Sequence, residues 1–414
     1  MQRKTGCFYI LALFFIFLLI GESCKTTPPD DGPAGVLDIF PGVADVFILR
    51  EDGSLWNVGY NQALISGIGG ASGAAPGLSE AMQGGVPFTG AKAAASGETH
   101  RVILKDDGSL WGQGKSVYGE LGLGGGGQGR LDDFTSLGIG DVKSLVCGNN
   151  STFVIKNDGT LWASGYNYYG ELGIGDRTNH AVFTQSKSAG NGVKAVAVGV
   201  RHSVILKDDG SVWAAGYNFN GQLGLGNQDD SAEFIQVTGL GNDVLSVAAG
   251  NYHTAVLKKD GSVWTAGENY YGQLGTSDPS DRRRFFQVKD SSGNPLTGAK
   301  AIAARGDLTL ILKEDNSLLW AGNYLDPAPR DENNLPPEKP AEEEKSTLKV
   351  LVPDGAGPAP IGEIQKIGLG FQSIYIISSG GRLWVAGSNR YGQLGLDYDT
   401  EVLHNLRIIY PGSE

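Results

Sequence analysis

Methionine and cysteine are scarce, with two and three residues in a chain of 414. Three cysteines cannot build the disulfide lattice of a small secreted scaffold or a cysteine-rich metal site. Charge is thin as well: 19 % of residues are charged and 40 % hydrophobic, so the chain is no disordered polyelectrolyte. Basic residues number 33 against 45 acidic ones, a formal −12. Neutralising phosphates takes a basic stripe, so nucleic acid is not expected as a partner. What the chain has in excess is glycine, 64 residues, about twice the usual share. With valine, leucine and aromatics, that composition points to an all-β protein with many tight turns.

The first residues differ from the rest. Arg3 and Lys4 precede an uncharged apolar run from Phe8 to Ile20, and Gly21-Glu22-Ser23-Cys24 follows. Small residues three and one positions before Cys24 suit cleavage by a signal peptidase. The segment resembles a bacterial lipoprotein signal, in which the new N-terminal cysteine is acylated. Gly21 and Glu22 stand where that pattern has leucine and a small residue. The expectation is a signal over residues 1–23, lipidation at Cys24, a tether over 24–35, and a membrane-anchored lipoprotein of the bacterial cell envelope. Plain secretion and an uncleaved anchor are the alternatives; the uncharged stretch of about 17 residues is short for a span, which wants ~20. Beyond it no stretch is apolar for long enough to hold a bilayer.

All seven tryptophans fall in copies of one unit: Trp56, Trp111, Trp162, Trp213, Trp264, Trp320 and Trp384, spaced 55, 51, 51, 51, 56 and 64 residues apart. A period near 50 belongs to propellers rather than to shorter solenoids. The clearest copy runs from Val244 to Gly275. Asp-Gly between two alternating apolar runs, the strongest short hairpin signal, recurs at 52–53, 107–108, 158–159, 209–210 and 260–261. Asp315-Asn316 and Gly380-Gly381 fill the same place in the last two copies. Each unit reads as strand, glycine turn, strand, Asp-Gly turn, strand, a long glycine-rich loop and a fourth strand such as Phe234–Val237. Seven such units predict a seven-bladed β-propeller over residues 36–410. The C-terminal strand, 404–410, is expected to pair into the first blade and so close the ring.

The unit Gly-x-Asn-x-x-Gly-Gln-Leu-Gly, then Gly-x-x-His-Thr, then Asp-Gly-x-x-Trp, resembles the repeat of the RCC1 (regulator of chromosome condensation) superfamily. Gly-Glu-Leu-Gly or Gly-Gln-Leu-Gly stands at 119–122, 170–173, 221–224, 272–275 and 392–395. The resemblance covers essentially all of 36–410 and implies the fold; propellers host unrelated activities, so it implies less about function. Guanine-nucleotide exchange on a small GTPase is the activity for which the superfamily is named. Export argues against it, and the motif maps only scaffold positions. The exported β-lactamase-inhibitory propellers of the superfamily offer inhibition of an extracellular enzyme as another reading.

Candidate chemistry is sparse. His100, His202 and His253 occupy equivalent Gly-x-x-His turns, where the other copies have Asp45, Ser151, Leu308 and Ser373. Histidines one blade apart cannot share a metal whose ligands lie ~2 Å away; each is expected to bond its own turn. Cys147 sits in a small buried slot as an inert thiol. The acidic residues after the glycine runs (Asp176, Asp229, Asp230, Asp278, Asp281) are spaced unevenly and read as solvated loop. No Ser/His/Asp set or carboxylate pair recurs, so the expectation is a non-enzymatic protein without cofactor or metal.

Two segments interrupt the repeat, 62–86 and 325–345. Strand alternation puts both on the face that carries the Gly-x-x turns. That face collects Tyr118, Tyr168, Tyr169, Phe219, Tyr270, Tyr271 and Tyr391 from the loops, with Arg201 and Tyr252 from the turns. Tyrosine and arginine bury large area while keeping a polar handle, so this is the expected binding face for an unknown protein partner or surface ligand. The Asp-Gly turns emerge on the opposite face, where lysines such as Lys207 and Lys258 read as solvated charge.

Overall fold

A computed structural model describes residues 35–43, 45–59, 75–124, 129–276, 278–290, 292–323, 348–351, 361–389, 392–396 and 402–410. The expected signal, Cys24, the tether up to residue 34, residues 62–74 and 325–345, and Tyr391 lie outside these. Seven four-stranded antiparallel sheets follow one another along the chain, spanning 36–80, 91–136, 142–185, 193–236, 244–287, 299–350 and 364–410. They are blades 1 to 7, and the seven-bladed all-β reading holds. Between blades 1 and 2 a small hairpin pairs Met82–Gln83 with Val86–Pro87.

Blade 5 shows why the unit folds as it does. Its strands are Val244–Ala249, His253–Lys258, Val263–Gly267 and Arg282–Gln287. At the tight turn between the second and third, Asp260 Oδ1 accepts from both the backbone N–H and the hydroxyl of Ser262. The Ser262 hydroxyl in turn accepts from Trp264 Nε1 at 3.0 Å. Gly261 there holds φ +77°, a conformation open to glycine at no steric cost. The same Asp–Ser/Thr–Trp chain recurs through Trp56, Trp111, Trp162 and Trp213. Asp-Gly-Ser-x-Trp is thus a turn that fastens its own following strand.

A cation lies over each of these five indoles: Arg50 stands 4.0 Å from the ring centroid of Trp56, and Lys105, Lys156, Lys207 and Lys258 stand 5.3, 4.8, 4.4 and 5.1 Å from those of Trp111, Trp162, Trp213 and Trp264. Lys258 also pairs with Asp243 at 3.1 Å. The expectation of freely solvated charge at Lys207 and Lys258 is therefore corrected. Their stems cover the tryptophans and their ammonium groups use the ring faces.

The first strand of each blade lines the centre of the ring. The strand Val36–Pro41 touches both Ala91–Ser96 of blade 2 and Ile364–Gly370 of blade 7, which closes the circle. The expected closure is corrected here. The last strand, Val402–Tyr410, pairs with Arg382–Ser388 inside blade 7, and blade 1 is built wholly from the N-terminal strands. The fourth strand of every unit follows its tryptophan strand directly and pairs with it, so no strand is left over to cross. Closure rests on packing: Val36, Ile39, Val46, Ile48 and Val58 form one buried cluster with Tyr375, Ile377, Leu383 and Val385. Val36 N–H donates to Gly381 O at 3.3 Å, and Lys366 pairs with Asp38 at 2.7 Å.

Blade-to-blade contacts are stapled by polar groups as well. His100, His202 and His253 are fully buried, and their Nε2 atoms lie 3.0, 3.1 and 2.8 Å from Thr152, Thr254 and Thr309 of the next blade. The hydroxyls of Thr254 and Thr309 donate to Gln222 O and Gln273 O, each at 2.7 Å. Each can then only accept from the histidine, which makes those rings Nε2–H tautomers. The structural reading of these histidines holds, with their partner corrected from their own turn to the next blade. At the junction of blades 1 and 2 an ion pair replaces the His–Thr bond, with Asp45 Oδ2 2.6 Å from Arg101 Nη2 and both residues buried.

Candidate binding face

The long loop after each third strand is shaped by its asparagine. Asn167, Asn218, Asn269 and Asn389 each accept, through Oδ1, the backbone N–H of the leucine five residues on, at 2.9–3.0 Å. Those leucines are fully buried. The acid at the far end of the loop closes it: Asp230 and Asp281 Oδ1 accept from the backbone N–H of Asn218 and Asn269 at 2.8 and 3.0 Å, as Asn179 does for Asn167. The position lies 12 residues after the loop asparagine in all three copies, so the expectation of unevenly spaced, solvated acids is corrected: Asp230 and Asp281 act as loop staples. Among the described residues no group of three acidic, histidine or cysteine side chains could hold a metal.

The loop leans on the Gly-x-x turn of its own blade. Tyr166, Tyr217 and Glu268 N–H donate to the carbonyls of Asn150, Arg201 and Tyr252, each at 2.8 Å. Loops and turns therefore share one face, as strand alternation requires.

Along that face the aromatic rings form a connected arc. Tyr118 meets Tyr166 edge-on with centroids 5.0 Å apart, and Tyr166 stacks on Tyr168 at 6.5 Å. Tyr168 meets Tyr169 at 5.0 Å, Tyr169 meets Tyr217 at 4.9 Å, and Tyr217 stacks on Phe219 at 6.3 Å and meets Tyr252 at 6.1 Å. Arg201 lies over Tyr169, 4.9 Å from its centroid, and its Nη1 donates to the Tyr169 hydroxyl at 3.1 Å. Tyr168 and Phe219 are 64 % and 63 % exposed, which is unusual for rings so well supported from below.

Of the sequence-predicted residues, Tyr118, Tyr168, Tyr169, Arg201, Phe219 and Tyr252 meet in this arc. Tyr270 and Tyr271 form a further edge-to-face pair at 4.8 Å. Tyr271 is only 8 % exposed, and its N–H donates to Gln273 Oε1, so it offers the surface little. Sequence reading missed Tyr166 and Tyr217, the half-buried rings that connect the exposed ones. Their signal was present: each precedes the loop asparagine, in Gly-Tyr-Asn at 165–167 and 216–218.

Beneath the arc lies Glu171, the acidic member of one Gly-Glu-Leu-Gly run. Its Oε2 accepts from Tyr169 N–H at 2.9 Å, while Oε1 is buried without a partner. Burial pushes its carboxyl up to about 7, against the pull of backbone hydrogen bonds and Arg201. Gln222 and Gln273 do the same task as neutral amides. A folded-state pKa above the unfolded value near 4.5 means stability that is present at low pH and lost as pH rises through 7. Glu171→Gln should therefore stabilise the protein at pH 8 by on the order of 2 kcal/mol and change little at pH 5. Urea melts at the two pH values check this, and equal effects at both would refute it.

Comparison with known proteins fits this geometry. The model of the regulator of chromosome condensation (RCC1) repeat matches residues 158–206 and 209–257, and a second model of that repeat matches 142–171, 193–222 and 244–273. The ultraviolet-B receptor UVR8 of Arabidopsis thaliana is 32 % identical over 198 residues, 46 % of this chain and 44 % of the receptor. The X-linked retinitis pigmentosa GTPase regulator homolog of Caenorhabditis elegans is 31 % identical over 187 residues, 44 % of this chain and 13 % of that protein. The chain thus spans less than half the length of these relatives. Among solved structures, human WBSCR16 superposes with TM-score 0.69 at 20 % identity, over 86 % of this chain and 94 % of that one. Yeast RCC1 (Prp20), bound to Kap60, gives 0.63 at 17 % identity, over 94 % of this chain and 91 % of that one. At such identities the likeness is one of fold.

Proposed function

From the premise that this chain is an RCC1-repeat propeller, we propose that it is a non-enzymatic scaffold whose aromatic face binds a protein at the bacterial cell envelope. The observation that carries this reading is the arc from Tyr118 to Tyr252, with two rings more than 60 % exposed and Arg201 stacked within it. Exposed aromatics on a rigid support bury much area at little entropic cost. Yeast RCC1 bound to Kap60 is a propeller of this fold with a partner attached. Thr184, His180 and Asp176 stand in a hydroxyl–imidazole–carboxylate chain at 3.0 and 3.2 Å, but the Thr184 hydroxyl donates to Val182 O, so it accepts from the imidazole rather than yielding a proton to it. The buried histidines and the Asp45–Arg101 pair are spent on holding blades to one another. Cys147 is buried, and burial pushes its thiol up to about 12, far from a reactive thiolate.

The envelope location is part of the proposal and rests on the N-terminal pattern ending at Cys24. The test is to express the full chain with a C-terminal tag, fractionate the cells, and identify what is cross-linked to it. The native chain should sediment with membranes and capture one partner, and Cys24→Ser should move it to the soluble fraction. Retention of the Cys24→Ser chain on membranes would defeat the anchor. Capture of a nucleotide-loaded GTPase would favour exchange instead, and capture of a secreted hydrolase would favour inhibition.

A further inference from the structure

The aromatic arc holds a cation of its own. Arg201 lies over the Tyr169 ring and donates to its hydroxyl at 3.1 Å, which shows the kind of side chain these rings accept. Tyr168 and Phe219 occupy equivalent places one blade apart, two residues after Tyr166 and Tyr217, and each stacks on that earlier ring. Stacking uses one side of each ring, and at 64 % and 63 % exposure the rest is open to solvent. An open ring face attracts a cation through its quadrupole.

Beneath the rings lie acids that the fold does not require. Glu120 and Glu171 are 0 % and 3 % exposed, and the Oε2 of each accepts a backbone N–H, from Tyr118 and Tyr169, at 2.8 and 2.9 Å. Their Oε1 atoms are buried without a hydrogen-bond partner. Burial raises both carboxyls, that of Glu171 to about 7. In blades 4 and 5 the same N–H is accepted by the amide oxygens of Gln222 and Gln273. A neutral amide thus serves the loop, and the acids of blades 2 and 3 add charge at a cost in stability.

Other acids reinforce them. Glu98 acts electrostatically on Glu120, and Asp230 on Glu171 and Tyr217. Against these four carboxyls stand Arg201, which acts on Glu171, and Arg177, 3.9 Å from Asp230. The arc is therefore negative once Glu171 is ionised. That charge reaches the rings: after burial, Glu171 is the next cause holding the Tyr166 hydroxyl above its ordinary value.

We propose that the arc binds an arginine-rich segment of a protein partner, its guanidinium groups on the open faces of Tyr168 and Phe219 and its charge matched by the carboxylates below. Charge complementarity selects a cationic partner. A guanidinium is planar and weakly hydrated, so it stacks on rings as Arg201 does. This inference rests on the aromatic face being the binding face, and adds the chemistry of what that face takes.

The test is fluorescence anisotropy of the full chain with a labelled peptide of alternating arginine and glycine, beside the same peptide with citrulline in place of arginine. The arginine peptide should bind about 10-fold more tightly than its neutral counterpart, and Tyr168→Ala/Phe219→Ala should weaken it by about 10-fold. At pH 8 Glu171→Gln, which keeps an acceptor for Tyr169 N–H and removes only the charge, should weaken it by about 5-fold. Asp208→Asn, the same change of net charge on the opposite face, should leave it unchanged. A cation favours the ionised carboxyl, so native binding should tighten from pH 6 to pH 8, and Glu171→Gln should lose most of that dependence. Equal binding of the two peptides, or equal losses in Glu171→Gln and Asp208→Asn, would overturn the proposal. A captured partner lost by Tyr168→Ala/Phe219→Ala but bound equally at pH 8 by the native and Glu171→Gln chains would overturn it too, while leaving the binding face in place.

Discussion

Acidification from pH 8 to pH 5 should cost this protein several kcal/mol of stability, although the buried carboxyl of Glu171 works in the opposite direction. The cause is the three histidine staples. Burial holds His100 at about 4 and His202 and His253 at about 3, so they stay neutral in the folded ring. In the unfolded chain they titrate near 6.5. The unfolded state then binds more protons between pH 3 and 6.5, and stability falls as pH falls through that window. At pH 5 each contributes a loss of about 2 kcal/mol, or about 6 for the three. Glu171 works the other way, because its raised pKa returns about 2–3 kcal/mol over the same interval. Urea melts of the native chain should show a net loss of about 3–4 kcal/mol between pH 8 and 5, and of Glu171→Gln about 6. His253→Gln should remove about a third of the histidine slope. A Glu171→Gln protein equally stable at pH 8 and pH 5 would show that the histidines do not behave as described.

Arg101→Ala should be among the most damaging single substitutions, at about 3–5 kcal/mol. The arginine is 1 % exposed, lies with its guanidinium 5.6 Å from the Phe47 ring centroid, and neutralises Asp45. Without it, Asp45 keeps weak hydrogen bonds, from Asn57 Nδ2 at 3.3 Å and Ser96 Oγ at 3.5 Å, and the longer-range charge of Arg305. The remedy lies in the repeat itself. Asp45→His combined with Arg101→Thr places at the junction of blades 1 and 2 the pair that joins other blades. The double variant should recover at least half of what Arg101→Ala loses, as read by thermal melting. A double variant worse than the single one would mean that the ion pair is not a substitute for the His–Thr staple.

These staples mark where the sequence was and was not legible. The tryptophan period and the Asp-Gly turns identified seven blades because each is a local device, complete within about ten residues. Asp260, Ser262 and Trp264 need nothing from elsewhere to make their chain of hydrogen bonds. The partner of His202 lies 52 residues away in the next blade, and no local pattern carries that information. Ring closure failed for the same reason. The terminal strand could be recognised as a fourth strand, but whether it served blade 7 or blade 1 depends on which tryptophan strand lies beside it. On the candidate face, strand alternation placed the exposed rings correctly, because the parity of turns in a meander is fixed by counting. It could not show that Tyr166 and Tyr217 connect them, nor that Tyr271 turns inward, since both follow from how the loop folds back on its asparagine.

The central claim is that the aromatic face makes the contact. The measurement is the affinity of the captured partner for three proteins with their melting temperatures: the native chain, a Tyr168→Ala/Phe219→Ala/Tyr270→Ala variant, and an Asp208→Ala/Lys259→Ala variant. The last two positions are exposed on the Asp-Gly face, free of the tryptophan stacking that disqualifies Lys207 and Lys258 as controls. Loss of the exposed Tyr168 and Phe219 rings and the half-buried Tyr270 ring should weaken binding by about 30-fold or more, at about 2 kcal/mol or more in all, with the melting temperature nearly unchanged. The opposite-face variant should bind as the native chain does. Binding retained by the aromatic variant and lost by the opposite-face variant would contradict the assignment.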